Sequence, residues 1–160
     1  MFMSEDFDLY MKEAISLSIQ NVETGNGGPF GAVIVKGGKI IARGVNNVTA
    51  NNDPTAHAEV VAIREACSQL NTFQLNGCDV YTSCEPCPMC LGAIYWARPD
   101  RLFYANSKED AAAINFDDQF IYEEIAKPVN ERKLFTKQLM RDEANQAFVK
   151  WNTSIIKREY

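Results

Sequence analysis

The 160-residue sequence holds only one histidine and six prolines. It has no run of about 18 apolar residues, the minimum for a membrane span. It also lacks any excess of positive charge: 16 Lys and Arg stand against 21 Asp and Glu, a formal charge of −5. That balance argues against a surface that tracks nucleic-acid phosphates, because nonspecific affinity of that kind rests on Lys and Arg. The opening Met1–Asp6 is acidic and has no apolar core, so it does not read as a signal peptide. The five cysteines are odd in number, which excludes a complete disulfide framework. These absences point to the cytoplasm, where clustered cysteines serve more often as metal ligands or catalytic groups.

What is present is an ordinary globular composition, 46% apolar and 23% charged. The length fits a single domain, 1–160, able to bury roughly 70% of the surface its unfolded chain exposes. Apolar residues Tyr10, Ala14, Leu17 and Val22 predict a helix from about Glu5 to Val22. Phe30–Val35 and Ile40–Val45 read as strands joined by the turn Lys36-Gly37-Gly38-Lys39. Asp53-Pro54 reads as the entrance to a helix from about Thr55 to Leu70. A third strand over Asp79–Thr82, a buried helix over Pro88–Ala97 and a fourth strand over Arg101–Ala105 follow. Short helical pieces are expected within Lys108–Ala126, around Asn115-Phe116-Asp117-Asp118, then a fifth strand over Lys133–Leu139. Ala144, Phe148, Trp151 and Ile155 mark a final amphipathic helix within 141–160. The alternation of strands and helices predicts a three-layer α/β/α sandwich on a five-stranded sheet, mixed because it opens with a hairpin.

Chemistry concentrates in two short stretches. His57 stands in His57-Ala58-Glu59, and two thiols stand in Pro86-Cys87-Pro88-Met89-Cys90 at the start of a helix. Thiols three residues apart at a helix N-terminus can hold one metal ion from one side, and the helix end favours their thiolate form. One imidazole and two thiolates leave the fourth tetrahedral position of zinc open, the arrangement of catalytic zinc. Glu59 would diverge from His57 by about 200° on an ideal helix. Both can face one site only if His57 lies at the open first turn. Cys84 offers a competing arrangement, a closed Cys3His site without catalytic water. A closed site leaves Glu59 without a role. Cys67 and Cys78 have no partner at ligand spacing and read as ordinary buried thiols.

The pattern HxE followed by PCxxC resembles the cytidine deaminase superfamily, zinc-dependent nucleobase deaminases. Within it the chain looks like the bacterial guanine deaminases. The similarity runs through Gly27–Val33, Asn46-Asn47, Asn52–Glu59, Tyr81–Ala93, Ile94–Pro99, Phe116-Asp117-Asp118 and the closing Lys157-Arg158-Glu159-Tyr160. The resemblance implies one zinc ion per chain on His57, Cys87 and Cys90. It implies hydrolysis of guanine to xanthine and ammonia, with Glu59 as proton carrier and Asp118 as a second one. It further implies an amide contact from Asn46 to the base edge, ring stacking by Phe30 and Trp96, and a backbone N–H from Ala58 to the purine carbonyl. Tyr160 would belong to a lid over the substrate, and the chain would form a homodimer open to exchange of C-terminal segments. Read without the resemblance, Asp118 can equally cap a following helix, Asn46 can serve a turn, and Phe30 and Trp96 can be core aromatics. Glu85 reads as structural, bonding backbone groups of its loop. Rival functions are a tRNA adenosine deaminase, a cytosine or nucleoside deaminase, and a zinc-stabilised interaction module without activity.

Overall fold

A computed structural model describes residues 7–160. Glu5 and Asp6, where the first helix is expected to begin, lie outside the described residues. The elements run α1 (Phe7–Glu23), β1 (Gly31–Lys36), β2 (Lys39–Val45), α2 (Val48–Asn51), α3 (Ala58–Leu70), β3 (Cys78–Cys84), α4 (Pro88–Ala97), β4 (Arg101–Asn106) and α5 (Lys108–Ala113). The strands form one sheet in the order β2-β1-β3-β4. β1 is antiparallel to both β2 and β3, whereas β3 and β4 are parallel. The sheet is therefore mixed, as the opening hairpin predicts.

Strand alternation sorts the core into two faces. Ala32, Ile34, Cys78 and Val80 pack with Ala58, Ala62 and Ala66 of α3 and with Ile94 and Ala97 of α4. Val33, Val35 and Tyr81 face the other way and pack with Ala14 of α1. Helices thus cover both faces of the sheet, giving the expected α/β/α layering. The buried face of α1 differs from its apolar pattern. Asn21 is 3% exposed and Val22 is 53% exposed. The buried line runs Ala14, Ser18, Asn21, which keeps helical spacing but carries polar groups: the Ser18 hydroxyl donates back to the Ile15 carbonyl, and the Asn21 amide to carbonyls outside the helix.

Two other expectations are corrected. α3 starts at Ala58, not near Thr55, because the Asp53 carboxylate is used earlier. It accepts the Thr55 backbone N–H at 2.8 Å and the Thr55 hydroxyl at 2.7 Å, closing a turn ahead of the helix. The short α2 was not anticipated. The short helical pieces expected within Lys108–Ala126 are present on either side of 115–118: α5 ends at Ala113 and α6 (Gln119–Ala126) begins after Asp118. Among the described residues the sheet has four strands, not five. Residues 133–139 are irregular, and their polar groups find local partners: the Lys133 N–H donates to Glu124 and the Thr136 hydroxyl to the Leu134 carbonyl. A segment becomes a strand only where it gains ladder bonds to a neighbour.

The chain divides into two compact units, Met1–Asp118 and Gln119–Tyr160. The second holds α6, a 3-10 turn at Val129–Glu131 and α7 (Arg141–Thr153), so Ile155 lies past the helix expected to include it. It builds no buried core of its own.

The alanine face of α3 lets that helix lie directly on β2. A Cβ added at Gly44 would collide with the Ala58 carbonyl oxygen and stand 2.6 Å from the Ala62 nitrogen. Backbone cannot yield there as a flexible side chain would. Gly44→Ala is therefore expected to lower stability by about 3 kcal/mol, the upper range for overpacking. Chemical denaturation of the variant checks this; an unchanged midpoint would show that α3 is not seated as described.

Candidate active site

Two helix starts meet above the carboxyl end of β3. His57 is the N-cap of α3, with extended backbone at φ −71 and ψ 155. Cys87 is the N-cap of α4, also extended at φ −62 and ψ 166, and Pro88 opens the helix. An N-cap lies outside the helical spiral, which frees its side chain from the helix periodicity. That is how His57 and Glu59, two residues apart, reach one place. The His57 Nδ1 lies 3.6 Å from Cys87 Sγ and 3.5 Å from Cys90 Sγ.

These three donors all lie within 4.8 Å of one another and can hold a metal ion. Their protonation shows what an ion would replace. The Cys90 thiol hydrogen bond, followed by that of the His57 ring, lowers Cys87 to about 4. The bond to Cys87, followed by burial, pushes Cys90 upward. The hydrogen bond with Cys87 raises His57 against the opposing effect of burial. Cys87 thus lies crowded between a second thiol and an imidazole, and is the donor most readily deprotonated. A doubly charged cation fits this donor set, taking two thiolates and a neutral imidazole and leaving one tetrahedral position open.

Cys84 does not join them. Its Sγ lies 3.5 Å from the Ser107 carbonyl, and burial pushes its thiol up to about 11. A thiol held protonated and turned to a backbone acceptor is a poor ligand, so the closed four-ligand arrangement is not favoured. Cys67 and Cys78 are free thiols, half-buried and buried, and neither belongs to the cluster. Glu85 bonds loop backbone, accepting the Lys108 N–H at 3.2 Å.

Glu59 is only 6% exposed. Burial raises its carboxyl above the ordinary carboxylate range, against hydrogen bonds from backbone and from the Cys90 thiol. The Thr82 hydroxyl donates to Glu59 Oε1 at 3.3 Å. Asp118 is half-buried; burial and then the negative charge of Cys87 raise its carboxyl. Asn46 is buried, and its Oδ1 accepts the Val48 N–H at 3.3 Å, the turn role open to it from sequence. Phe30 is half-buried and meets Phe116 edge-on, ring centres 5.0 Å apart. Ala58, the first residue of α3, carries one of the N–H groups that a helix start leaves without an intrahelical acceptor. Trp96 lies six residues past Cys90 on α4, about 9 Å of helix rise, and is 64% exposed. Tyr160 belongs to the second unit.

Sequence reasoning missed two residues here. Thr82 is one. Asn21 is the other: its Nδ2 donates to the carbonyls of Gly28 at 2.8 Å and Asn46 at 2.9 Å, tying together the loops that carry Phe30 and Asn46. An asparagine at a buried helical position was the available signal.

Residues 4–106 match the family model for the cytidine and deoxycytidylate deaminase zinc-binding region. The chain belongs to this deaminase family. Guanine deaminase of Bacillus subtilis (strain 168) is 56% identical over 153 residues, covering 96% of this chain and 98% of that protein. The X-ray structure of guanine deaminase from Bacillus subtilis superposes with a TM-score of 0.95 at 55% identity, over 97% of this chain and 99% of that one. Guanine deaminase from Nitrosomonas europaea is more distant, with a TM-score of 0.67 and 34% identity over 70% and 65% of the two chains. A tRNA-specific adenosine deaminase of Bacillus subtilis is 43% identical over 64% of this chain and 62% of its own length. The deaminase cluster is accordingly a zinc site.

Atomic absorption on the purified deaminase should find one zinc per chain. Cys84→Ser should retain it and Cys87→Ser should lose it. Metal loss from Cys84→Ser would restore the closed arrangement.

Proposed function

We propose that this chain hydrolyses guanine to xanthine and ammonia. The observation that carries the reading is Glu59, a buried carboxyl with no place in a purely structural zinc site, set beside His57, Cys87 and Cys90. The likeness to guanine deaminases along nearly the whole chain selects the base. Similarity to the tRNA-specific enzymes stops at about two thirds of it, and the net charge of −5 does not favour an anticodon partner.

In this reading His57, Cys87 and Cys90 are the zinc ligands. Bound there, zinc supplies a water acidic enough to act as nucleophile near neutral pH. Glu59 takes a proton as the C–O bond forms at C2 and passes it to a ring nitrogen. Its raised carboxyl suits a group that must hold the proton and then release it. The remaining proton of that water, released as the C2 hydroxyl becomes a carbonyl, converts the departing amino group to ammonia as the C2–N bond breaks. Asp118, whose carboxyl is likewise raised, is the second carrier. Asn46 contacts the base edge, Phe30 stacks on the ring, and the Ala58 N–H binds the purine carbonyl. Trp96 and Tyr160 complete the substrate pocket in the assembled enzyme.

The chain reads as one catalytic domain working as a homodimer in the cytoplasm, with 141–160 forming a lid that can exchange between subunits. No helix among the described residues is long and apolar enough to cross a membrane. Phe148, Ile155 and Tyr160 are all exposed, and a partner that covers them removes a large apolar surface from water. Light scattering should give the mass of two chains. Deleting Arg158–Tyr160 should weaken action on guanine and admit guanosine; a truncated enzyme unchanged on both bases would remove the lid.

The decisive assay is ammonia release from guanine, guanosine, adenine, cytosine and a tRNA anticodon hairpin. Guanine should be the preferred substrate. Glu59→Gln should keep its zinc and lose about 10²–10⁴-fold in rate, the contribution typical of general acid–base catalysis. Zinc-loaded enzyme that acts on the hairpin but not on guanine would overturn the assignment.

A further inference from the structure

The α3-facing row of β3 runs Cys78, Val80, Thr82. Thr82 sits in the middle of the sheet, paired with Ala32 on β1 and Tyr104 on β4, and is 1% exposed. Valine has the same shape and suits a buried strand at least as well. A hydroxyl at this depth is costly unless it is bonded. Its partner is Glu59 Oε1, 3.3 Å away and 23 residues earlier in sequence. The row therefore turns polar at the point where it passes the buried carboxyl.

We propose that Thr82 is a positioning residue for Glu59. Its hydroxyl, donated from β3 across to the first turn of α3, holds the carboxyl in the rotamer that faces His57, Cys87 and Cys90. A glutamate has three rotatable bonds, and proton transfer requires its oxygen within about 3 Å of the group it serves. Thr82 engages one of the two carboxylate oxygens, Oε1. Contacts of this kind are often long in a ligand-free site and tighten when the reacting complex forms. This rests on the reading of Glu59 as the proton carrier, and it adds the group that aims it.

The test compares zinc-loaded wild type, Thr82→Val, Thr82→Ser and Glu59→Gln. Each is measured for zinc content, thermal midpoint, and kcat and KM on guanine. Thr82→Val should keep one zinc and an undiminished midpoint. Its kcat should fall by about 10- to 100-fold through misalignment, with KM within about a factor of two of wild type. Thr82→Ser, which keeps the hydroxyl, should recover most of kcat. A crystal structure of Thr82→Val should show the Glu59 carboxyl spread over more than one rotamer. Wild-type kcat in Thr82→Val, with Glu59→Gln inactive, overturns the positioning role alone. Loss of zinc or of the midpoint in Thr82→Val also overturns it, by making the residue structural, as does a Thr82→Ser no better than valine. An active Glu59→Gln would overturn the proton-carrier reading itself and the positioning role with it.

Discussion

Two helices begin at the same point, and everything chemical in this chain depends on that meeting. Each helix start concentrates unpaired N–H groups and the positive end of a helix dipole. Two such ends facing one another would repel a bare cation. Two thiolates reverse the balance: Cys87 at one cap and Cys90 a turn inside supply the negative charge, and His57 at the other cap supplies a neutral donor when metal is bound. The same geometry places Glu59 in the first turn of α3, where burial holds its proton more tightly than usual.

The sheet acts as the jig for this meeting. Ala58, Ala62 and Ala66 give α3 a flat buried face, and Gly44 removes the last side chain between that face and β2. β3 lies between the first hairpin and β4, so its carboxyl end delivers the loop that leads into Cys87. On the way it presents Thr82 to Glu59. On the opposite face Asn21 reaches from α1 to the carbonyls of Gly28 and Asn46. Residues remote from the cluster in sequence thus fix the positions of those that act.

Much of this is legible without coordinates, for identifiable reasons. The limits of α4 agree with the sequence reading because proline both opens it and stands just past it at Pro99. The metal donors are legible because thiols at that spacing on a helix start have few alternative uses. Other features depend on partners that a pattern does not name. Lys133–Leu139 reads as a strand yet gains no ladder, and the apolar Val22 turns outward while Asn21 turns in. Thr82 is invisible as a functional residue until strand register sets it against α3. Trp96 shows the converse: the resemblance suggests its role, and on α4 it stands 64% exposed.

The central claim is an open zinc site, with three protein ligands and a carboxylate beside it that is not a ligand. X-ray absorption at the zinc edge of the purified enzyme tests it most directly. The account predicts two sulfur donors, one imidazole nitrogen and one lighter, exchangeable donor around each zinc. A shell of three sulfurs and one imidazole, which would bring Cys84 into the site, would contradict it.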